Sequence, residues 1–415
     1  MAQPSPYTPG SIARHVPGRE MQLAEIGERL DYMLAYESAI PRIRIDYAPR
    51  GYGKTSLLAE VTRNAEAAGV LTLRLVGGET TLMGELAGAL DHASGTWSPE
   101  RGGRLRAALR RLDVTLDVGV PGVAHLETTL KHPEIDKTRE PAISSRDFQQ
   151  LITTSADAAR SAGHRGLLLV VDELQDADPP GLRALCYGWQ RIQETPNDLP
   201  AGVIAAALPN IRGVLRQHVS NSERLQIRQL GTLAPGASAA ALVDPARAQN
   251  VPWNPDALRD AVNYADGFPY TLQLIGDQAW QAAGRPDPGQ PITAQHVAAA
   301  RDRITADLRS QHEARWIKAT PAQRHILRVM ADLGGDHPVS RSQLVDRLGT
   351  ATRSISQLRD QLIADGVIES AARGELSFTA TGFAQYVQEH SAPGDIEADR
   401  AAELSDPQRR PPRHN

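Results

Sequence analysis

The sequence predicts an α/β fold. A parallel sheet covered by helices on both faces comes first, then an all-helical stretch, then a small unit of three helices and a hairpin. Three observations lead there. Short apolar runs alternate with helical spacings up to about residue 232, and one of them, Gly166 to Val171, is continuous in the manner of strands buried on both faces. Residues 234–310 then keep only helical spacing. Between about 319 and 390, three helical patterns are followed by two short strand patterns.

Composition supports a multi-domain globular chain. Its 415 residues suggest two to three domains at about 150 residues each. Lys+Arg total 45 against 49 Asp+Glu, a formal net charge of −4, which excludes a cation whose whole surface binds polyanions. The 34 Gly and 29 Pro fall short of the roughly 25–30 % that marks low-complexity sequence. Aromatic residues make up only 4 %, so the core is expected to be Leu, Val, Ile and Ala. The single cysteine, Cys186, excludes a disulfide within the chain and a cysteine-built zinc or iron–sulfur site. The first 18 residues hold no apolar run of a secretory signal. The longest strongly apolar stretch, Leu167 to Val171, is far below the roughly 20 residues that cross a bilayer. The expectation is a cytoplasmic protein without membrane contact.

The elements follow in order. Residues 1–15 are rich in Pro and Ser and read as a flexible N-terminal arm. Leu23, Ile26, Leu30, Met33 and Leu34 give Met21 to Leu34 one buried helical face. A short strand, Ile43 to Tyr47, leads through a Gly-rich turn into a helix carrying Leu57, Leu58, Val61 and Ala65, with Gly69 as its stop. Val70 to Val76 reads as a strand and Thr81 to His92 as a helix. Residues 94–147 read as a partly ordered insertion with a candidate strand at Val114 to Val120. Phe148 to Ala162 is helical, Gly166 to Val171 and Val203 to Leu208 are buried strands, and Leu225 to Arg228 is a shorter candidate. Asn254 with Pro255 at the first helical position opens a helix in the all-helical region, and Pro286 to Pro291 is a loop inside it. Ala322 to Met330, Arg341 to Leu348 and Thr352 to Ala364 are helices, and Val367 to Glu369 and Glu375 to Thr379 are strands flanking Arg373-Gly374. That order is the winged-helix pattern. The tail from Ser391 to Asn415 is charged and nearly free of large apolar residues, which predicts disorder.

The sharpest motif is Ala48-Pro49-Arg50-Gly51-Tyr52-Gly53-Lys54-Thr55, with a strand before it and a helix after it. Except for Ala48 in place of the first Gly, it matches G-x-x-x-x-G-K-[ST], the P-loop. Gly51 and Gly53 let the backbone curl so that successive N–H groups face phosphate oxygens. Lys54 reaches the terminal phosphates, Thr55 offers its hydroxyl to Mg2+, and the helix start adds a positive end. The candidate nucleotide contacts are Pro49, Arg50, Gly51, Tyr52, Gly53, Lys54, Thr55 and Ser56. The bland alternative is a glycine turn before an amphipathic helix.

Leu167 to Val171 ends in Asp172-Glu173, an apolar strand closing on two carboxylates. This is a Walker B arrangement: Asp172 for Mg2+, Glu173 to orient and polarise the attacking water. Side chains alternate along a strand, so the adjacent acids take different directions, at the sheet edge where α/β folds hold ligands. An acidic cap on the next loop is the alternative. Asp176 and Asp178, beside Pro179-Pro180, read as helix caps.

The two motifs lie about 118 residues apart with an extra strand–helix unit between them. From about Val16 to Val387 the chain resembles the origin-recognition-like bacterial branch of AAA+ P-loop NTPases. Val16-Pro17-Gly18-Arg19-Glu20, Ala205 to Asn210, Ser222-Glu223-Arg224-Leu225 and Gly267-Phe268-Pro269-Tyr270 carry the resemblance beyond the Walker motifs. It implies an AAA+ nucleotide-binding domain over 16–232, a helical lid domain over 233–315 and a winged-helix domain over 316–390; composition alone makes 391–415 the disordered tail. It implies Arg19 near the adenine, Asn210 as sensor 1 by the γ-phosphate, Arg224 as an arginine finger for a neighbouring subunit, and Pro269 at the base or lid. Where origin-binding members carry a sensor 2 arginine, this chain has Tyr270.

The expected activity is hydrolysis of ATP with Mg2+, slow in the lone chain, with Lys54, Glu173, Asn210 and Arg224 as the catalytic set. The alternative is a signalling-type switch that binds ATP or ADP, turns over little and uses its C-terminal domain for protein contacts. Double-stranded DNA is a further candidate partner, with Thr352 to Ala364 as recognition helix and Arg341, Arg347, Arg353, Arg359 and Arg373 as a local patch. Against it, residues 321–390 hold seven Arg and no Lys beside eight acids, no surplus of the kind that phosphate neutralisation requires. Self-association into a homo-oligomer is the competing role. Zinc-ligand spacings and a G-x-S-x-G elbow are absent from the sequence.

Overall fold

The computed structural model describes residues 3–95, 97, 103, 105–107, 109, 144–194, 198–220, 222–335, 337–349, 352–372, 374–380 and 382–391. The candidate strand at Val114 to Val120, the wing-tip residue Arg373 and the tail beyond Ser391 lie outside these residues. No helix among the described residues is long and apolar enough to cross a membrane.

Two compact units are present: residues 8–244 with 265–272, and residues 3–7 with 245–264 and 273 onward. The first unit alternates helices and strands: α1 (Glu20–Ala35), β1 (Arg44–Tyr47), α2 (Lys54–Ala67), β2 (Val70–Val76), α3 (Leu82–Ser94), α4 (Ser145–Ser161), β3 (Gly166–Asp172), α5 (Pro179–Glu194), β4 (Ala201–Ala207), α6 (Ile211–His218) and β5 (Gln226–Gln229). The sheet order is β2-β3-β4-β1-β5, and every pairing is parallel. The apolar run of β3 is buried because its two faces feed two cores. Leu167, Leu169 and Val171 join Phe148, Leu151, Leu185 and Trp189 on one side. Leu168 and Val170 join Ile26, Met33, Leu58 and Val61 on the other. Small residues in β4 have a packing reason, since a Cβ at Gly202 would lie 2.5 Å from Ile40 Cδ1.

Helix starts follow local chemistry. Thr81 accepts from Gly84 N at the head of α3, and Ser144 and Asp147 form a reciprocal capping box on α4. That box moves the start of α4 three residues ahead of the predicted Phe148. Asp178, read as a cap from the sequence, caps two helices: Oδ1 accepts from Leu82 N (2.7 Å) and Oδ2 from Gly181 N (2.8 Å). Asp176 is not a cap; its Oδ2 accepts from Gln175 Nε2. Removing both caps of Asp178 in Asp178→Ala is expected to cost about 2 kcal/mol. A melting temperature equal to the parent's would contradict that accounting.

Cys186 on α5 is buried, and burial pushes its thiol up to about 12. The thiolate is the reactive form. The native chain is therefore expected to resist thiol-reactive dyes at pH 7.5 and to titrate one thiol when unfolded. Rapid labelling of the folded protein would be the contrary result.

Beyond β5 come α7 (Pro235–Ala248), α8 (Pro255–Ala265), α9 (Pro269–Ala282) and α10 (Ala294–Lys318). Pro255 opens α8 as predicted, and the Pro286 to Pro291 loop separates α9 from α10. The boundary predicted at 315/316 falls inside α10, a continuous 25-residue helix without Gly or Pro to break it. His312 of α10 packs its ring 5.3 Å from Phe383 and 5.8 Å from Tyr386, so this helix also serves the terminal core.

That core is built by α11 (Pro321–Gly334), β6 (Val339–Ser340), α12 (Arg341–Leu348), α13 (Thr352–Ala364), β7 (Ile368–Ala372), β8 (Glu375–Phe378) and α14 (Phe383–Glu389). The three strands form an antiparallel sheet in the order β6-β8-β7. Ile326, Leu327, Met330, Leu344, Ile355, Leu362 and Phe383 fill its interior. The two-residue β6 is too short to show a period in sequence.

The arm read as loose over 1–15 is pinned at Tyr7, which is 3 % exposed. Its hydroxyl accepts from Trp253 Nε1 (3.0 Å), its ring meets Trp280 edge-on, and Trp280 Nε1 donates to Gln3 O (3.1 Å). Burial pushes the Tyr7 hydroxyl far above the ordinary tyrosine range, against the donation from Trp253.

Candidate nucleotide-binding site

The site begins where β1 ends. Buried Ala48 donates its N–H to Ala207 O (3.1 Å) and packs with Leu57 and Leu230, so a methyl group fits where the motif usually has Gly. The chain then reverses through Gly51 (φ 84°) and Gly53 (φ 79°), both left-handed. Gly53 precedes α2 directly, so the curl delivers its amides to a helix N-terminus.

Lys54 is the first residue of α2 and is 6 % exposed. Its Nζ donates to Pro49 O across the loop (3.0 Å). Thr55 Oγ1 donates to Asp172 Oδ2 (2.7 Å), joining the phosphate loop to the end of β3. Asp172 Oδ1 accepts from Glu173 N (2.9 Å). Arg50 is exposed at the loop's outer turn. Ser56 Oγ accepts from Ala13 N (3.1 Å), which ties residue 13 to the start of α2.

Arg19, expected near the adenine, reaches the phosphate loop. It is 4 % exposed, and one Nη donates to Tyr52 O (3.0 Å) and Gly231 O (2.8 Å). Burial lowers its pKa, and the nearby Asp46, Tyr52 and Glu20 pull it back up. Its guanidinium braces the loop from behind.

The Gly267 to Tyr270 segment reaches the same loop. Tyr270 N donates to Gly51 O (3.1 Å), Phe268 meets the Tyr52 ring edge-on at 5.3 Å, and a Cβ at Gly53 would lie 3.9 Å from Pro269 Cβ. Pro269 is thus brought to the loop, and Tyr270 stands 41 % exposed beside it.

Asn210 and Arg224 are not joined to this cluster by any hydrogen bond among the described residues. Asn210 occupies the N-cap of α6 without a side-chain cap bond, and its side chain is exposed. Arg224 precedes β5 and pairs with Glu194 at 3.4 Å. The phosphate loop follows β1, and β1 and β5 are parallel, so Arg224 lies at the opposite end of these strands. Their paired rows alone span about 10 Å.

Sequence reasoning missed two features. Arg44 and Asp46 form a fully buried bidentate pair on β1 (2.8 and 3.0 Å), and Arg44 also reaches Glu25 (2.5 Å). Burial works against the Arg44 charge, but Asp46 and Glu25 together raise its pKa. The alternation of charge in Arg44-Ile45-Asp46 was the signal. The second feature is Gln175, whose side chain links Glu173, Asp176 and Leu208.

Of the arginines proposed to face DNA, Arg341 donates to Ser356 (2.8 Å) and Arg359 pairs with Asp360 (2.5 Å).

Comparisons agree with the architecture. The ORC2 protein of Aeropyrum pernix, solved as ADPNP–ADP complexes, is similar over 95 % of this chain and 97 % of its own, with a TM-score of 0.57 and 13 % identity. A Walker-type ATPase of Pyrococcus abyssi is similar over 93 % of this chain and 98 % of its own, with a TM-score of 0.54 and 15 % identity. Residues 309–387 match a family described as "Domain of unknown function (DUF8462)". No curated protein matches the chain. The likeness is one of fold: the first unit is the parallel sheet of P-loop AAA+ proteins, with a helical region after it.

Proposed function

We propose that the chain binds ATP with Mg2+ at residues 48–56 and hydrolyses it, slowly when alone. One observation carries this reading: Thr55 Oγ1 and Asp172 Oδ2 meet at 2.7 Å although the residues stand 117 apart in sequence. A glycine curl, a helix N-terminus, a buried lysine, a hydroxyl and a carboxylate converge there, and together they suit a triphosphate with its cation.

The donor set fits Mg2+, which takes hard oxygen ligands and usually only one or two from carboxylates or hydroxyls. Among the described residues there is no cluster of three or more His, Cys, Asp or Glu that could hold a metal, so Thr55 and Asp172 would share the ion with phosphate oxygens. Bound there, it would neutralise charge on the terminal phosphates. The loop amides and Lys54 bind and orient the phosphates. Glu173 orients a water for attack on the γ-phosphorus, where a new P–O bond forms as the bond to ADP breaks. Asn210 is proposed as a second polar contact for that water.

Arg224 is 60 % exposed and too far along the strands to serve its own site, so the proposed role is at a neighbour's site in a homo-oligomer. Arginine fingers supplied in trans are worth roughly 10³–10⁵ in rate. The proposed setting for this activity is the cytoplasm, and the terminal unit, read as a winged helix, is a proposed contact for duplex DNA. The pairing of Arg359 with Asp360 offsets its charge toward phosphate.

A second reading is favoured by Tyr270, which stands where a sensor 2 arginine was expected and donates its N–H to Gly51 O. In that reading the chain is a switch that holds nucleotide with little turnover and uses its terminal unit for protein contacts. One experiment separates the two: the ATPase rate per chain against protein concentration, with and without duplex DNA. A rate that climbs with concentration supports hydrolysis with assembly. Bound ADP and no turnover at any concentration supports the switch.

A further inference from the structure

Gln175 is 5 % exposed, and both ends of its amide are engaged. Nε2 donates to Glu173 Oε2 (2.7 Å) and to Asp176 Oδ2 (2.7 Å). Oε1 accepts from Leu208 N (2.8 Å). The two N–H hydrogens of the amide therefore go to two carboxylates, and such charge-assisted bonds are about twice as strong as neutral ones.

The main chain of Glu173 is held as firmly as its side chain. Its φ is 48°, a left-handed value uncommon outside glycine. The residue above it must be small: a Cβ at Gly77 would lie 2.3 Å from Glu173 O. Gly77 N also donates to Asp172 O (2.9 Å). With the backbone locked, the remaining freedom of Glu173 is rotation of its side chain, and Gln175 restrains that. Leu208 directly follows β4 and leads through Pro209 to Asn210.

We propose that Gln175 is the positioning residue of Glu173: it aims the carboxylate and ties its setting to the 208–210 segment. This rests on the role proposed above for Glu173. A side chain present only to satisfy Leu208 N would need one acceptor. The two donors spent on acids give Gln175 its separate task. Displacement of 208–210 moves Oε1, and with it the donor that holds Glu173, so the water-orienting group senses the segment that carries Asn210.

The test uses the full chain. Gln175→Glu keeps an oxygen for Leu208 N, removes both donors and sets a like charge against Glu173 and Asp176. Gln175→Met fills similar space without charge. Both are expected to lower kcat by on the order of 10- to 100-fold, with KM and the equilibrium Kd for Mg·ATP within about threefold of the parent, because nothing that touches the phosphates has changed. In a Glu173→Gln background, the same substitutions are expected to change the residual rate by less than about twofold, since Gln175 acts through that carboxylate. Parental kcat in either folded Gln175 variant overturns the inference. So does an equal fall in both backgrounds, which would assign Gln175 a structural role. Parental turnover in Glu173→Gln itself overturns the role of Glu173, and this inference with it; failure of the Gln175 variants alone leaves that role standing.

Discussion

Glu173→Gln is expected to bind Mg·ATP as tightly as the parent chain and to keep only a small residual turnover. The substitution keeps length and shape. The new amide can offer its oxygen to Gln175 Nε2, which now donates to Glu173 Oε2 at 2.7 Å, so the turn keeps its hydrogen bond. The backbone bond from residue 173 N to Asp172 Oδ1 is untouched, as is the Thr55–Asp172 pair. What disappears is the negative oxygen that orients and polarises water. Loss of a positioned base is worth roughly 10²–10⁴ in rate, and here it should appear in kcat alone. Phosphate release under saturating ATP, with calorimetric binding beside it, gives both quantities. Turnover at the parental rate would remove Glu173 from the mechanism.

Lys54→Ala is expected to act on binding instead. Lys54 is buried at the first position of α2, and its ammonium now rests on Pro49 O at 3.0 Å. An incoming triphosphate would exchange that neutral carbonyl for charged oxygens, a gain of about 1.5–3 kcal/mol for a hydrogen bond to a charged group. Removing it should raise Kd for Mg·ATP by on the order of 10- to 100-fold. The fold should survive, since the loop keeps the Arg19 brace on Tyr52 O and the Tyr270 N–H on Gly51 O. Calorimetry with ATP and Mg2+ measures the change, and circular dichroism checks the fold. Unchanged affinity would mean that the nucleotide is held elsewhere.

The two expectations address different links in one arrangement, and they separate the proposed hydrolase from the proposed switch. A switch tolerates loss of Glu173 without a change in its function, whereas both readings fail without Lys54.

Much of the first unit was legible because its signals are local. A continuous apolar run can only be satisfied by burial on both faces, and β3 is buried from Gly166 through Val171. Glycines at 51 and 53 require a backbone that other residues avoid, and both adopt it. Parallel strands bring their C-terminal ends to one edge, and Thr55 meets Asp172 there although 117 positions separate them. In the terminal unit α12 and α13 were legible for the same reason, down to their limits, whereas β6 and α14 were not.

Other features depended on distant partners. Tyr7 lies in a segment whose composition reads as loose, and Trp253 and Trp280, some 250 positions away, decide otherwise. The sequence around Arg19 does not show that its hydrogen bonds join Tyr52 O of the phosphate loop to Gly231 O, 212 positions away. Gln175 carries no motif signal at all; its meaning comes from Leu208 N and Glu173 arriving on either side of it.

The order of residues by itself determined the strand–curl–helix and the acid pair, because backbone sterics and side-chain alternation act within a few positions of each other. Only the tertiary structure decided which polar groups hold those pieces in register. A buried donor or acceptor takes whichever partner the packed chain brings within about 3 Å, and that choice is made by folding across the whole unit rather than by neighbours in sequence.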